Sequence, residues 1–407
     1  MMTHTTREQK ALEIAARNKL TPSGDNKYSV PSQSGRGSYT VEFDPAKPHC
    51  TCPDFEYRQL PCKHVLAVEI SIRREQTVSG DTTTTSITKT VRVTYRQDWG
   101  AYNQAQTKEK ALFQQLLHNL CQGIIEPVHP KGRPPFSFAD MIFASTFKVF
   151  STVSGRRFAT DLQEAHAKGY LARLPHYNSV FRYFEKPVLT PLLKELVAHS
   201  ALPLRALETD FAVDSSGFST CVYARWFDEK YGEHHQQNEW LKVHLMCGVK
   251  TNIITSVEVT PKNVGDSPMF PPLVAETAKG FNISEVSGDK AYSSRANHNA
   301  VAKVGGTPYI AFKENATGGK AASVFQKMFH FYSYNQQQFM TNYHKRSNVE
   351  TTFSMVKAKF GTRLRSKTPV AQVNEALAKC LAHNLCCVIQ SMFEFGIEPN
   401  FENVSLN

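Results

Sequence analysis

Three carboxylates stand in contexts that point to one chemistry: Asp214 in ETDFAVDSSGFS, Asp289 in ISEVSGDKAYSS and Glu350 in YHKRSNVETTFSMVK. The first two follow short apolar runs that read as β-strands, and the third lies on a pattern of helical period. Acidic side chains brought together from separate elements can hold a pair of divalent metal ions, and such pairs drive in-line phosphoryl displacement. That is the chemistry of cutting and joining nucleic acid.

The charge around Glu350 supports a polyanionic partner. The formal net charge is +11. Between Gly319 and Lys367 lie Lys320, Lys327, Lys345, Arg346, Lys357, Lys359, Arg363, Arg365 and Lys367, and the one acid is Glu350. A solvated helix face usually mixes both signs, whereas clustered Lys and Arg neutralise phosphates. Tyr343, Arg346, Glu350 and Lys357 are offset by 3, 4 and 7 residues, so one helix would present all four on one face. Taken alone, the spacing also fits an ordinary i,i+4 salt-bridge face.

The elements that must carry these residues can be read around them. Phe211-Ala212-Val213 precedes Asp214, and Ser215, Ser216 and Gly217 read as a turn, so Asp214 is expected at a strand end. Asp210 alternates in register with it and is the rival acid. Asp289 follows Val286-Ser287-Gly288 at another expected strand end. Asp266, ahead of Ser267 and Pro268, reads as a helix N-cap. Strands are expected near Ala206–Asp214, Leu241–Val249, Ile253–Val259, Ile283–Ser287 and Pro308–Phe312. Helices are expected near Pro268–Ala278, Ser293–Val304, Tyr343–Phe360 and Val370–Phe393. Hairpins followed by a strand–helix–strand crossover make residues 201–400 an α/β domain with a mixed sheet.

Upstream, residues 108–200 have helical period and form an all-α, candidate DNA-binding region. Within it Arg157–Lys168, a Gly169 turn and Tyr177–Phe184 could make a helix-turn-helix, although plain helical packing explains the same stripe. Residues 77–107 read as a linker that opens on TVSGDTTTTSITKT. Residues 1–76 form a first unit, with a helix at Arg7–Lys19 and a β-pair at Lys27–Val30 and Gly37–Phe43. No apolar stretch reaches the length of a membrane span, and the N-terminus lacks the apolar core of a secretory signal. The cysteines read as intracellular thiols, and no membrane partner is expected.

Four of the chemistry-bearing residues of the first unit stand in two tight pairs, Cys50-Thr51-Cys52 and Cys62-Lys63-His64. Zn²⁺ takes four soft ligands in a tetrahedron, and each pair can grip it from one short turn. With no position left for water, one structural zinc ion is expected, its binding energy helping to fold the module. This CxC, spacer, CxH arrangement resembles the SWIM zinc-finger family, which is associated with DNA binding and protein–protein contacts.

DSSG, GDKAY and the Y-x2-R-x3-E-x6-K series together resemble the DDE transposases of bacterial insertion sequences, nearest to the IS4-type group, over about residues 205–395. The resemblance implies an RNase H-like fold with a five-stranded mixed sheet. Asp214, Asp289 and Glu350 would bind two Mg²⁺ ions, for which Mn²⁺ may substitute. Tyr343, Arg346 and Lys357 would position DNA phosphates. It also implies double-stranded DNA as partner, a homodimer on that DNA, and a cytoplasmic, nucleoid-associated protein. Residues 314–342 are too few for the β-rich insertion that some relatives carry before the Glu helix. A DNA-binding regulator without cleavage and an RNase H-like nuclease are the competing functions.

Overall fold

The computed structural model describes residues 22–24, 26–32, 37–44, 47–78, 98–126, 134–220, 240–313 and 323–401, with isolated positions among residues 10–20, at 230 and at 316–317. The chain divides into two compact units, Met1–Lys89 and Thr90–Asn407.

In the first unit β1 (Pro22–Gly24), β2 (Lys27–Pro31), β3 (Ser38–Glu42) and β4 (His49–Cys50) form an antiparallel sheet in sequence order. The expected β-pair is present, running from Lys27↔Glu42 to Pro31↔Ser38. Val30 and Val41 are its fully buried side chains. Helix α1 (Pro53–Arg58) starts with proline, which tolerates the first turn because its missing N–H has no intrahelical partner there. Helix α2 (Lys63–Val78) follows. The expected helix at Arg7–Lys19 lies largely outside the described residues, although Ala11, Ile14 and Ala15 are buried.

The second unit opens with helix α3 (Trp99–Cys121), so residues 99–107 are helix and not linker. Asp98 starts it by accepting a hydrogen bond from the Ala101 N–H at 3.0 Å. Its first turns present only alanines, Ala101 and Ala105, to the core. That is why the polar run there looked unstructured. Helices α4 (Phe138–Ser151), α5 (Gly155–Ala167), α6 (Tyr177–Phe184) and α7 (Leu189–Ala201) come next.

Strands β5 (Asp210–Ser219), β6 (Trp240–Gly248), β7 (Ile254–Pro261), β8 (Glu285–Gly288) and β9 (Thr307–Ile310) make one sheet in the order β7-β6-β5-β8-β9. The β5–β6 and β6–β7 pairs are antiparallel, and β5–β8 and β8–β9 are parallel. Helix α8 (Phe270–Gly280) connects β7 to β8, and α9 (Arg295–Lys303) connects β8 to β9. This is the mixed five-stranded arrangement of an RNase H-like domain. Helices α10 (Val324–Tyr334) and α11 (Gln336–Tyr343) occupy the short insertion, and a 3-10 turn (His344–Arg346) joins them to α12 (Ser347–Phe360). The insertion packs a small aromatic cluster around the fully buried Phe339. Helix α13 (Pro369–Phe395) closes the unit.

Helical region and sheet share one core, which runs from Ala105 through Phe143 and Leu196 to Val213, Val286 and Leu381. The spine of that core is α13. It is long and apolar enough to cross a membrane, contrary to the expectation from sequence, but 78% of its apolar window is buried inside the fold. Asn384 shows what it does there: its amide donates to the carbonyls of Val197 (3.0 Å) and Ile254 (2.7 Å) and accepts from the Ile254 N–H (2.8 Å). One side chain thus ties α7 and β7 to α13.

His383, the residue before it, is buried with Nε2 2.9 Å from the Asn252 carbonyl. Burial holds its imidazole down to about 4, while the Asn252 carbonyl favours the charged form. The unfolded chain protonates near 6.5, so it binds the extra proton first as pH falls. Stability of this unit is therefore expected to be complete above about pH 6.5 and to fall toward pH 4, this residue contributing on the order of 3 kcal/mol. Urea midpoints across that window check it: the slope should flatten in His383→Gln, and an unchanged slope would exclude His383 as its source.

Candidate active site

Asp214 is not at the end of its strand. β5 continues through Ser219, paired with β6 as far as Ser219↔Trp240. The Ser215-Ser216-Gly217 run is extended, and two of its small residues make room for bulky neighbours. Ser216 accepts from Lys357 Nζ at 2.6 Å, and a Cβ on Gly217 would sit 2.7 Å from the Trp240 ring. The parallel neighbour does end at this level. Val213↔Gly288 is the last β5–β8 pair, so Asp214 and Asp289 each follow it on adjacent strands. Asp289 ends β8 by capping the turn Lys290–Tyr292, its Oδ1 accepting from the Lys290 N–H at 2.6 Å.

Glu350 arrives from α12. Arg346 Nη2 lies 2.8 Å from Glu350 Oε1, and Arg346 Nη1 lies 3.5 Å from Asp214 Oδ2. One guanidinium therefore spans the first and third acids. Its centre lies 6.0 Å from the Tyr343 ring centre. Tyr343 in turn stacks on Phe339, so the aromatic cluster of the insertion sets its place. Lys357 reaches β5 at Ser216, on the same face as Asp214 and two residues beyond it. The 3-10 turn keeps right-handed helical backbone between Tyr343 and Ser347, which is why the helical spacing survives the junction.

The electrostatics are those of crowded acids. Burial pushes the Asp214 carboxyl up; the Ser215 N–H and Arg346 pull it down, and the charges of Asp289 and Glu350 push it up again. For Arg346 burial disfavours the charge, but Tyr343, Glu350, Asp214 and Asp289 outweigh it and raise its pKa. Burial lowers the Lys357 ammonium. Carboxylates from three elements, repelling one another around a shared cation, offer the hard oxygen donors that Mg²⁺ or Mn²⁺ takes. The buried Tyr292 hydroxyl feels the charges of Asp214 and Asp289 and meets the Ser215 side chain without a hydrogen bond of full geometry among the described residues. An oxygen donor set with unmet polar capacity fits a divalent ion.

Asp210, the rival acid, is engaged elsewhere. Lys345 Nζ clamps Asp210 Oδ2 (2.7 Å) and Glu285 Oε2 (2.6 Å) at the opening residues of β5 and β8. Asp266 stands at the N-cap position of the 3-10 turn Ser267–Met269, as read from sequence, but its side chain makes no capping hydrogen bond. Its Oδ1 instead accepts from Ser215 Oγ at 2.8 Å and pairs with Lys242 Nζ at 3.1 Å.

In the first unit, β4 delivers Cys50, Cys52 stands at the N-cap of α1, and Cys62 and His64 flank the start of α2. All four are buried, with ligand atoms within 4.8 Å of one another. His64 Nδ1 lies 4.0 Å from Cys50 Sγ and 3.8 Å from Cys62 Sγ. Tetrahedral Zn–S and Zn–N bonds of about 2.3 and 2.0 Å imply edges of roughly 3.5–3.8 Å, so the cluster fits zinc. Hydrogen bonding from Cys50 is the main cause that takes the Cys62 thiol down to about 4, and burial raises Cys52. His49 stays outside the cluster and packs edge-on against Phe55.

Residues 205–385 match the Transposase DDE domain family, and residues 39–73 match the SWIM zinc finger. The chain carries a transposase DDE domain. Asp214, Asp289, Tyr343, Arg346, Glu350 and Lys357 all fall inside the stretch that matches the DDE domain, and the four buried zinc-type ligands fall inside the SWIM match. No solved structure matches the chain. His234 and His235, a pair in a polar stretch that reads as surface, and Cys221 lie outside the described residues.

Proposed function

We propose that this protein is a DNA transposase of IS4 type, which cuts the ends of its own element and joins the 3′-ends to target DNA. The observation that carries the reading is the single guanidinium of Arg346 held between Asp214 and Glu350, with Asp289 on the adjoining strand. In this role Asp214, Asp289 and Glu350 hold two Mg²⁺ ions, which when bound activate the attacking hydroxyl and stabilise the leaving 3′-oxygen. With Asp214 and Glu350 engaged as metal ligands, the planar fork of Arg346 would be left for a phosphate. Lys357 supplies a second cation about two turns beyond Glu350 on α12, and Tyr343 packs the guanidinium in place. Double-stranded DNA is the partner, with a dimer holding two ends together, in the cytoplasm near the nucleoid. The SWIM module contacts DNA or a protein partner.

The test is a plasmid carrying the DNA that flanks this protein's gene, incubated with the purified full chain and Mg²⁺ or Mn²⁺. Metal-dependent breaks at the flank ends, absent in Asp289→Ala, are the expected result. Binding without breaks in either protein would replace the reading with a DNA-binding regulator. Breaks without regard to the flanks would replace it with a nuclease.

A further inference from the structure

Behind Asp214, on the face of β5 turned away from α12, lies a second polar layer that the triad does not include. Ser215 points there, because successive strand residues alternate faces. Its hydroxyl donates to Asp266 Oδ1 (2.8 Å), while its backbone N–H donates to Asp214 Oδ1 (2.8 Å). Asp266 is itself fixed: Lys242 Nζ pairs with it at 3.1 Å and donates to the Val264 carbonyl at 2.9 Å. His244 Nδ1 lies 3.5 Å from the same carboxylate oxygen, and His244 Nε2 is anchored 2.8 Å from Thr260 Oγ1. Tyr292 completes the layer from the turn after Asp289. Only 1% of it is exposed and its ring packs on Phe270; its hydroxyl feels the charges of Asp214, Asp266 and Asp289 and meets the Ser215 side chain, but makes no hydrogen bond of full geometry among the described residues.

We propose that Asp266 and Tyr292 are positioning residues for the metal-binding carboxylates, Asp266 acting through Ser215 on Asp214 and Tyr292 filling the space behind both aspartates. The inference rests on the triad reading above. Its physical basis is that a metal-ligating carboxylate must be held in one rotamer. Asp214 is held by a backbone N–H whose own residue is tied down by Asp266. Without that tie Ser215 is held by the β5–β6 ladder alone, and the setting of its N–H against Asp214 Oδ1 is less sharply fixed. A hydroxyl with unmet capacity in a buried, anionic pocket has a role once the carboxylates reorganise around a cation, because leaving it unpaired there is costly. Lys242 and His244 hold Asp266 at a single setting and so serve the same end from β6.

The experiment measures Mn²⁺ binding by calorimetry on the full chain with zinc in its first unit, without DNA or turnover. Outer-shell partners of metal ligands typically change affinity about 10–100-fold. Asp266→Asn, Ser215→Ala and Tyr292→Phe should each weaken Mn²⁺ binding by at least about tenfold. Asp266→Asn should add nothing in an Asp214→Ala background. Tyr292→Phe keeps the ring and its packing, so it tests the hydroxyl even where Asp266→Asn fails to fold. Wild-type affinity in both Asp266→Asn and Tyr292→Phe would overturn the proposal. A loss in Asp266→Asn with none in Ser215→Ala would overturn the route through Ser215. Failure of the triad reading looks different: Asp214→Ala would then bind Mn²⁺ as tightly as the parent.

Discussion

Asp214→Asn, Asp289→Asn and Glu350→Gln will each lower metal-dependent strand cleavage by roughly a thousandfold or more, because residues acting as one catalytic unit fail together. Asp210→Asn will leave cleavage within a few-fold of the parent. The contrast follows from where the two aspartates of β5 point their charge. Asp214 faces Arg346 and feels both other acids. Asp210 answers Lys345, which also pairs with Glu285 and keeps that partner when Asp210 is neutralised. A part-exposed pair of this kind contributes about 1 kcal/mol or less, so Asp210→Asn should cost little stability. The Asp214→Asn variant should melt at or above the parent's temperature, since burial and two neighbouring acids already work against its charge. Single-turnover nicking of end-labelled flank DNA, with a thermal melt of each variant, reads both effects. A cleavage loss in Asp210→Asn equal to that in Asp214→Asn would remove Asp214 from its place as the first acid.

The specific series Tyr343, Arg346, Glu350, Lys357 was legible because helical periodicity is local, and a short 3-10 turn does not disturb it. The mixed sheet was legible for a similar reason: apolar runs of strand length alternate with helical ones. What failed was everything decided across the sheet. Ser215-Ser216-Gly217 looked like a turn because small polar residues favour turns. Here their smallness admits Trp240 on one face and Lys357 on the other, and neither neighbour is near in sequence. Asp266 looked like a cap because Asp-Ser-Pro is a capping pattern. Its carboxylate is claimed instead by Lys242 and Ser215, from β6 and β5. The signal that could have found it is the pairing of Lys242 with an otherwise unexplained acid, which needs the β5–β6 register first. The helical region reads from sequence as a stretch apart from the α/β domain, yet its apolar face is buried by α13, which follows it by more than a hundred residues of sequence. A domain boundary drawn from local pattern cannot register that return.

Stripping zinc should unfold the first unit while leaving the second folded. The core of the Met1–Lys89 unit is small, and Cys50, Cys52 and Cys62 are themselves part of it. Units of this size seldom hold together on apolar burial alone. In the metal-free cluster the sulfurs compete for charge: Cys62 is driven to about 4 chiefly by hydrogen bonding from Cys50, and Cys50 is driven up mainly by the same contact. Zinc binding must therefore displace the protons that remain on Cys50 and Cys52, and its affinity should rise with pH. Structural zinc in small fingers is worth about 10–16 kcal/mol, more than such a core could replace. The expected result is one zinc per chain, released by a strong chelator together with loss of one of two calorimetric transitions. Protease cleavage should then concentrate between the β-pair and α2. Cys62→Ser should reproduce this state without chelator. Metal-dependent nicking by the second unit, assayed on DNA supplied in excess, should persist, because none of its acids belongs to the zinc unit. An unchanged protease pattern after complete zinc release would show that the cluster is not what holds the first unit together.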